Sequence, residues 1–394
     1  MKVLAVCVPA AGHINPLLPL IEAFAHQGDR IVVASGTEIG ASVERAGAEL
    51  CPAGRGEQAW FEVLRARVRG FPGDGLPPER INHYFIPRLF AEVATADMID
   101  DVLACGRTLD PDLVLFETYA FAGPLVAELL GVPAVHHAIG AMLEREVLEL
   151  ANDAVSPLWR SFGISTPGFA GVYRGITVAI CPSSLDVLDV AEGERLPLRP
   201  APPPQTPPAL TGRPLVYVTL GTFFNANLDI FRAVINGLAD EPVDVLATVG
   251  ANQDPAALGP LPANAHAERF VPQATLLPRC AAVVHHAGSG TMLGALAHGL
   301  PQVVIPQGAD NFVNASLLER AGIGSSLRPG AVSPENVRAA VRRVLDEPSH
   351  RVAARRAAAE IAAMPSADDV AATLRKRFGY GSGVAGDPEV QADP

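Results

Sequence analysis

Charge is scarce in this chain. Of its 394 residues only 18% are charged, and acidic residues outnumber basic ones by 42 to 30, for a formal net charge of −12. An acidic chain repels phosphate backbones and anionic lipid, and no basic stripe with interleaved aromatics offsets this, so no nucleic-acid partner is expected. Cysteine is also scarce. Cys7, Cys51, Cys105, Cys181 and Cys280 are odd in number, scattered, and form no C-x-x-C pair. The pattern predicts buried free thiols in a reducing cytosol, and no cluster has zinc spacing. No segment approaches the ~20 apolar residues of a membrane span. Met1-Lys2-Val3 leads straight into a strand and Pro9 breaks the apolar run early, unlike a signal peptide. A soluble cytoplasmic protein is therefore expected. Two nucleotide signatures are missing as well. Without G-x-x-x-x-G-K-S/T a nucleoside triphosphatase is disfavoured, and without G-x-G-x-x-G after the first strand so is a nicotinamide-dependent oxidoreductase.

Apolar material is plentiful, at 49% of residues. That suffices for a core, and the length is too great for one typical domain. Residues 3–8 are a continuous apolar run, as in a strand buried on both faces. A turn over 9–13 follows, and Asn15-Pro16 reads as the cap and first residue of a helix to about residue 27. Strands at 31–34, 113–116 and 133–136 alternate with helices at 41–46, 91–106 and 121–130, while 53–90 looks irregular. Such alternation predicts a parallel, doubly wound sheet. Residues 197–214 hold the densest proline cluster, too stiff to pack as a helix. The grammar then restarts with strands at 215–220 and 243–249, a helix at 230–238, and helices at 334–347, 349–363 and 367–378. The predicted organisation is a first domain over 1–200, a linker over 201–214, a second domain over 215–364, a last helix over 365–378, and a disordered tail over 379–394.

The stretch 285–316 carries the most chemistry. Ala282-Val283-Val284 enters a small-residue turn, His286-Ala287-Gly288-Ser289-Gly290-Thr291, and a helical pattern follows. A strand, a Gly-rich turn and a helix start make an anion site, because backbone N–H groups point outward and small residues allow close approach. A second strand, 302–305, ends at a loop with Gly308, Asp310 and Asn311. Gly221-Thr222 closes the strand 215–220 at the same expected edge, where α/β folds bind ligands. In the first half, His13 sits in the first strand-to-helix loop, and either caps locally or acts as a base. Glu117 follows an apolar strand at the same edge, placed to hold an imidazole and stabilise its protonated form. Asp112 is the second candidate partner, although it begins the strand. Asp110-Pro111-Asp112 matches a D-x-D metal motif but reads better as turn chemistry. His136 and His137 follow another strand and either line a pocket or pack at an interface. Trp60, Phe61, Phe71, Tyr84 and Phe85 are the candidate lid over an apolar ligand.

Together these motifs resemble the GT-B glycosyltransferases, and most closely the family 1 branch that decorates natural products with activated sugars in actinomycetes. The resemblance rests on Gly12-His13-Ile14-Asn15-Pro16, the proline linker, Phe270-Val271-Pro272-Gln273, His286-x-Gly288-Ser289-Gly290-Thr291 and the Pro306–Ala315 run. It implies an α/β fold of two Rossmann-like domains facing across a cleft. It implies that His13 is the general base, and that Glu117 orients it where the family usually has aspartate. Phe270 then stacks on the nucleobase where tryptophan is commoner, and the Val271 backbone hydrogen-bonds it. His286 meets the diphosphate, with Gly290, Thr291 and Thr222 adding donors. Asp310 and Asn311 stand where an Asp-Gln pair reads sugar hydroxyls. Gly12, Gly221, Gln273, Gly288 and Ser289 complete the donor-side set. The implied reaction is inverting and metal-independent, from a nucleoside-diphosphate sugar, TDP-linked by family association, to a hydroxyl of a hydrophobic aglycone. No cofactor beyond that co-substrate is expected, and a homodimer stays open. The competing readings are a GT-B nucleotide-sugar epimerase and a catalytically silent nucleotide-sugar-binding partner.

Overall fold

The computed structural model describes residues 1–67, 76–186, 193–200, 212–221 and 225–379. Phe71, Thr222, most of the predicted linker and residues 380–394 of the predicted tail lie outside them.

Two parallel sheets organise the chain. The first has the order β3-β2-β1-β4-β5-β6-β7. Its strands are β1 (Lys2–Val6), β2 (Arg30–Ser35), β3 (Glu49–Pro52), β4 (Leu113–Glu117), β5 (Ala134–His137), β6 (Ile176–Ala179) and β7 (Glu194–Pro197). The second has the order β10-β9-β8-β11-β12-β13. Its strands are β8 (Leu215–Thr219), β9 (Asp244–Thr248), β10 (Ala265–Glu268), β11 (Ala282–His285), β12 (Gln302–Val304) and β13 (Gly324–Ser326). The α/β expectation of two doubly wound sheets holds. β1 shows why its run is unbroken: Val3 and Ala5 enter one buried cluster, Leu4 and Val6 another, so both faces are covered by helices. In each sheet the order reverses beside the central strand, between β1 and β4 and between β8 and β11. The crevice outside the carboxyl ends of such strands is where this architecture binds ligands.

The final helix, Ala367–Phe378, starts at a capping box in which Ser366 and Asp369 satisfy each other's backbone N–H groups. It packs on the helix Leu18–His26 beneath the first sheet. Gln27 Nε2 donates to the Asp368 carbonyl at 3.0 Å, and Arg375 Nη1 donates to the Gln27 carbonyl at 2.7 Å.

Three local expectations are corrected. First, Asn15 is not the N-cap of the helix to residue 27: it closes the turn Ala11–Ile14 as its C-cap, and the helix Leu18–His26 starts after Leu17. The chain turns helical at Ala11–Ile14, where the His13 and Ile14 N–H groups both bond the Ala10 carbonyl, so His13 stands on a helical turn. Second, much of 53–90 is helical. Glu57–Arg67 and Ile81–Phe85 are α-helices, and Ile86–Ala94 is a π-helix that runs into the helix Thr95–Leu109. Glycine, proline and aromatics lower local helix propensity there, and tertiary packing against the helix Arg145–Ser161 overrides it. Third, Cys51 and Cys105 form a disulfide with Cα atoms 6.5 Å apart, while Cys7, Cys181 and Cys280 are free and buried. β3 and the helix Thr95–Leu109 meet only after folding, so the spacing gave no sign of the pair.

Candidate active site

His13 and Glu117 come together across β1 and β4. The helical turn after β1 aims the imidazole back at the end of β4, where Glu117 is fully buried. His13 Nδ1 lies 3.2 Å from Glu117 Oε1. The carboxylate is itself held, by the Val8 N–H at 3.2 Å on Oε1 and the Tyr119 N–H at 2.8 Å on Oε2. Nδ1–H therefore points at Glu117, and Nε2 is left free to accept a proton. Burial alone would lower the His13 pKa. The charge and hydrogen bond of Glu117, with smaller pulls from Glu57 and Asp310, outweigh it and raise the pKa above its ordinary 6.5. Asp112 lies at the opposite edge, where it accepts the Lys2 N–H at 2.7 Å, and Asp110 pairs with the Lys2 ammonium at 3.2 Å.

The rings beside His13 are not those singled out in the sequence. Phe90 and Tyr119 lie 5.7 and 5.2 Å from the imidazole and stack on each other at 5.0 Å. Phe90 projects from the π-helix, whose extra residue per turn rotates side chains off ordinary helical positions. Tyr119 is two residues past Glu117 and was legible only from its place at the sheet edge.

Trp60 is 0% exposed, with Nε1 donating to Asp97 Oδ2 at 2.9 Å, so it belongs to the core and lines no lid. Asp97 also accepts the Arg55 N–H at 2.6 Å. Trp60→Phe removes one of the two donors to this carboxylate oxygen, the Arg55 N–H remaining, and leaves part of the buried indole's space empty. A loss of about 1–3 kcal/mol in thermal unfolding is expected, with acceptor KM unchanged. Phe61, Tyr84 and Phe85 are half-buried and pack edge-on, Phe61 to Phe85 at 6.0 Å and Tyr84 to Phe85 at 5.6 Å. His137 is fully buried with Nδ1 donating to the Ala138 carbonyl at 2.8 Å, and burial drives its pKa down to about 4. Its Nε2 is buried with no hydrogen-bond partner among the described residues. His136 lies likewise in the core, between Thr118 at 3.1 Å and Thr177 at 3.3 Å.

The second sheet presents its loops at the matching edge. His285 ends β11 in register with Thr219 and Val304, so Gly221, the 286–291 turn and the 306–311 loop emerge together. Gly288 adopts extended backbone before the helix Ser289–Ala297, and no side chain caps that helix start. Its first N–H groups are available to an anion. The His286 ring lies between Gly221 and Gly288, since a Cβ built on either glycine would strike it. Burial lowers the His286 pKa to about 4 despite the opposing charge of Asp310, so the ring is neutral near pH 7. Gln273 Nε2 donates to Thr291 Oγ1 at 3.1 Å. Phe270 is 70% exposed, an apolar face open for stacking, and Val271 beside it is half-buried.

Around Asp310 the polar groups form one network. Ser289 Oγ donates to Asp310 Oδ2 at 2.6 Å, Asn314 Nδ2 to the same oxygen at 2.9 Å, and Asn311 Nδ2 to Oδ1 at 3.0 Å. Asn311 is buried, and its Oδ1 accepts the Gln307 and Gly308 N–H groups at 3.3 Å each. Its short amide is thus spent shaping the loop and holding Asp310. The two halves of the site meet at Gly140, after β5, where an added Cβ would strike Ser289 Oγ and lie 3.8 Å from Asp310 Oδ2. A base held by a carboxylate on one side and an uncapped, glycine-lined helix start on the other can deprotonate a hydroxyl beside a bound anion. Exposed Gly12 lies next to the base.

Known proteins are similar to the chain over nearly its whole length. The family model described as erythromycin biosynthesis protein CIII-like, C-terminal domain, matches residues 232–376. Elloramycin glycosyltransferase ElmGT of Streptomyces olivaceus is 31% identical over 96% of this chain and 98% of that protein. The L-demethylnoviosyl transferase of Streptomyces niveus is 32% identical over 95% of this chain and 97% of that protein. The crystal structure of the Streptomyces sp. SF2575 glycosyltransferase SsfS6, complexed with thymidine diphosphate, superposes with a TM-score of 0.76 at 28% identity, covering 95% of this chain and 99% of that one.

Proposed function

Since the chain belongs to the GT-B glycosyltransferases of actinobacterial antibiotic biosynthesis, we propose that it moves a sugar from a nucleoside diphosphate to a hydroxyl of a hydrophobic natural-product acceptor, with inversion and without a metal. The observation that carries this reading is the His13–Glu117 pair at 3.2 Å, facing the Asp310 side of the site. His13 Nε2 takes the acceptor proton as the oxygen attacks the anomeric carbon. Glu117 stabilises the imidazolium that forms. The carbon–oxygen bond to the diphosphate breaks on the far side, and the leaving charge falls on the N–H groups of Gly290 and Thr291 and on neutral His286. Fixed dipoles of this kind do in a dry site what a cation does elsewhere, which is the argument for metal independence. Phe270 stacks on the base, and the Val271 backbone hydrogen-bonds it. A thymidine nucleotide is favoured because SsfS6 binds thymidine diphosphate. Asp310 reads the sugar, and Asn311 acts through it. Residues 1–200 with the returning helix 365–378 form the acceptor side, and residues 215–364 the donor side.

The test is incubation with thymidine- and uridine-diphosphate sugars and a panel of aglycones, with and without EDTA. Mass spectrometry identifies product and NMR its anomeric configuration. A retained configuration, or activity abolished by EDTA, overturns the mechanism. Phe90 and Tyr119 flank the acceptor beside the base. Phe90→Ala is expected to raise acceptor KM by up to about tenfold, the scale of one aromatic contact, with donor KM unchanged. Initial rates at varied acceptor decide it.

A further inference from the structure

Ala287 holds a backbone that alanine disfavours. Its φ is +69°, and its side chain is buried in the core. A non-glycine residue in this left-handed region is driven toward negative φ unless its neighbours prevent it. Here both of its peptide groups are pinned. The Ala287 N–H donates to His285 Nδ1 at 3.1 Å, and the Ala287 carbonyl accepts from Asn314 Nδ2 at 2.9 Å.

His285 is fixed in turn. It is fully buried at the end of β11, and its Nε2 lies 2.7 Å from Gln302 Oε1. The opposite end of the Gln302 amide, Nε2, donates to the Met292 carbonyl at 3.4 Å, which sets the amide's direction. The geometry allows one tautomer only. A backbone N–H cannot accept, so Nδ1 carries the lone pair and Nε2 the proton. Burial, with the adjacent His286, lowers the His285 pKa to about 3, so this tautomer persists across the working pH range.

We infer that His285, oriented by Gln302, is a positioning residue that holds Ala287 left-handed and so aims His286 and the Gly288–Thr291 N–H groups at the diphosphate. The inference rests on the proposed donor role of this turn. His285 touches no substrate. Its effect passes through the backbone of Ala287, and glycine at 287 would make it dispensable. Releasing one residue from the left-handed region shifts an equilibrium by roughly 5- to 30-fold.

The test is calorimetric titration of the full chain with thymidine diphosphate and uridine diphosphate, each variant first checked for a cooperative thermal transition. His285→Leu is expected to weaken binding of the preferred nucleotide roughly tenfold, by the same conformational scale. His285→Asn, whose Oδ1 replaces Nδ1 as acceptor, and the double variant His285→Leu/Ala287→Gly should both recover most of the affinity. A merely structural role would not predict rescue by glycine at a different position. If His285→Leu does not fold, Gln302→Leu serves, with a smaller loss and the same rescue expected. Unchanged affinity in the folded leucine variants, or a loss that Ala287→Gly does not restore, overturns the clamp alone. Failure of the wild-type protein to bind either nucleotide overturns the donor reading, and the clamp with it.

Discussion

His13→Ala is expected to lower kcat by about 10²–10⁴-fold, the usual contribution of a positioned general base, while nucleoside-diphosphate affinity stays within experimental error. The two effects separate because the imidazole stands on the first sheet, whereas the proposed nucleotide contacts are carried by the second. Among the described residues the hydrogen-bond partners of Glu117 Oε1 are the Val8 N–H and His13, and a backbone N–H is no base, so the pair holds no second one to replace His13. The pH profile gives an independent reading. Only neutral His13 accepts a proton, and its pKa stands above the ordinary 6.5 because Glu117 outweighs the lowering effect of burial. The acid limb of kcat/KM therefore falls above pH 6.5 in the wild-type enzyme. Glu117→Gln removes the charge and leaves the burial, so the limb moves to lower pH and the maximal rate falls. Undiminished turnover of His13→Ala, or an acid limb unmoved by Glu117→Gln, would remove the pair from the mechanism.

His286→Ala should cost about 10²–10³-fold in kcat, the range for one preorganised donor to a developing charge. Donor affinity should weaken as well, because in the proposed mechanism the ring also meets the ground-state diphosphate. Gly288→Ala separates the ring's position from its presence. Gly288 has a φ of −65°, which alanine adopts without strain, yet the added Cβ would strike the His286 ring. The imidazole must swing away, so Gly288→Ala should reproduce the His286→Ala defect with the histidine intact. Single-turnover kinetics with saturating donor, alongside nucleotide titrations, distinguish a loss in chemistry from a loss in binding. If Gly288→Ala turns over normally, the ring's place between the two glycines is not what the reaction uses.

Some of this site was legible before folding and some was not. His13, Glu117 and the 286–291 turn could be read because each follows an apolar run, and in a parallel sheet the residue after a strand lies at the ligand edge. Trp60 was misread because an aromatic-rich segment says nothing about which rings turn inward. Trp60 went to the core since Asp97, on a distant helix, accepts its N–H. Phe90 came to His13 since the chain is π-helical at that point. Asn311 stands where the resemblance puts a sugar-reading amide, and its Oδ1 accepts the Gln307 and Gly308 N–H groups of its own loop, a closure that spacing does not announce.

Period and punctuation in the sequence therefore determined the two doubly wound sheets and the placing of His13, Glu117 and the 286–291 turn at their carboxyl edge, because these depend on local patterns repeated along the chain. Tertiary structure alone decided the Cys51–Cys105 bond, the rings that flank His13, and the clamp of His285 and Asn314 on Ala287. Each joins residues from different elements, and their meeting depends on how helices and strands pack, which spacing along the chain does not encode.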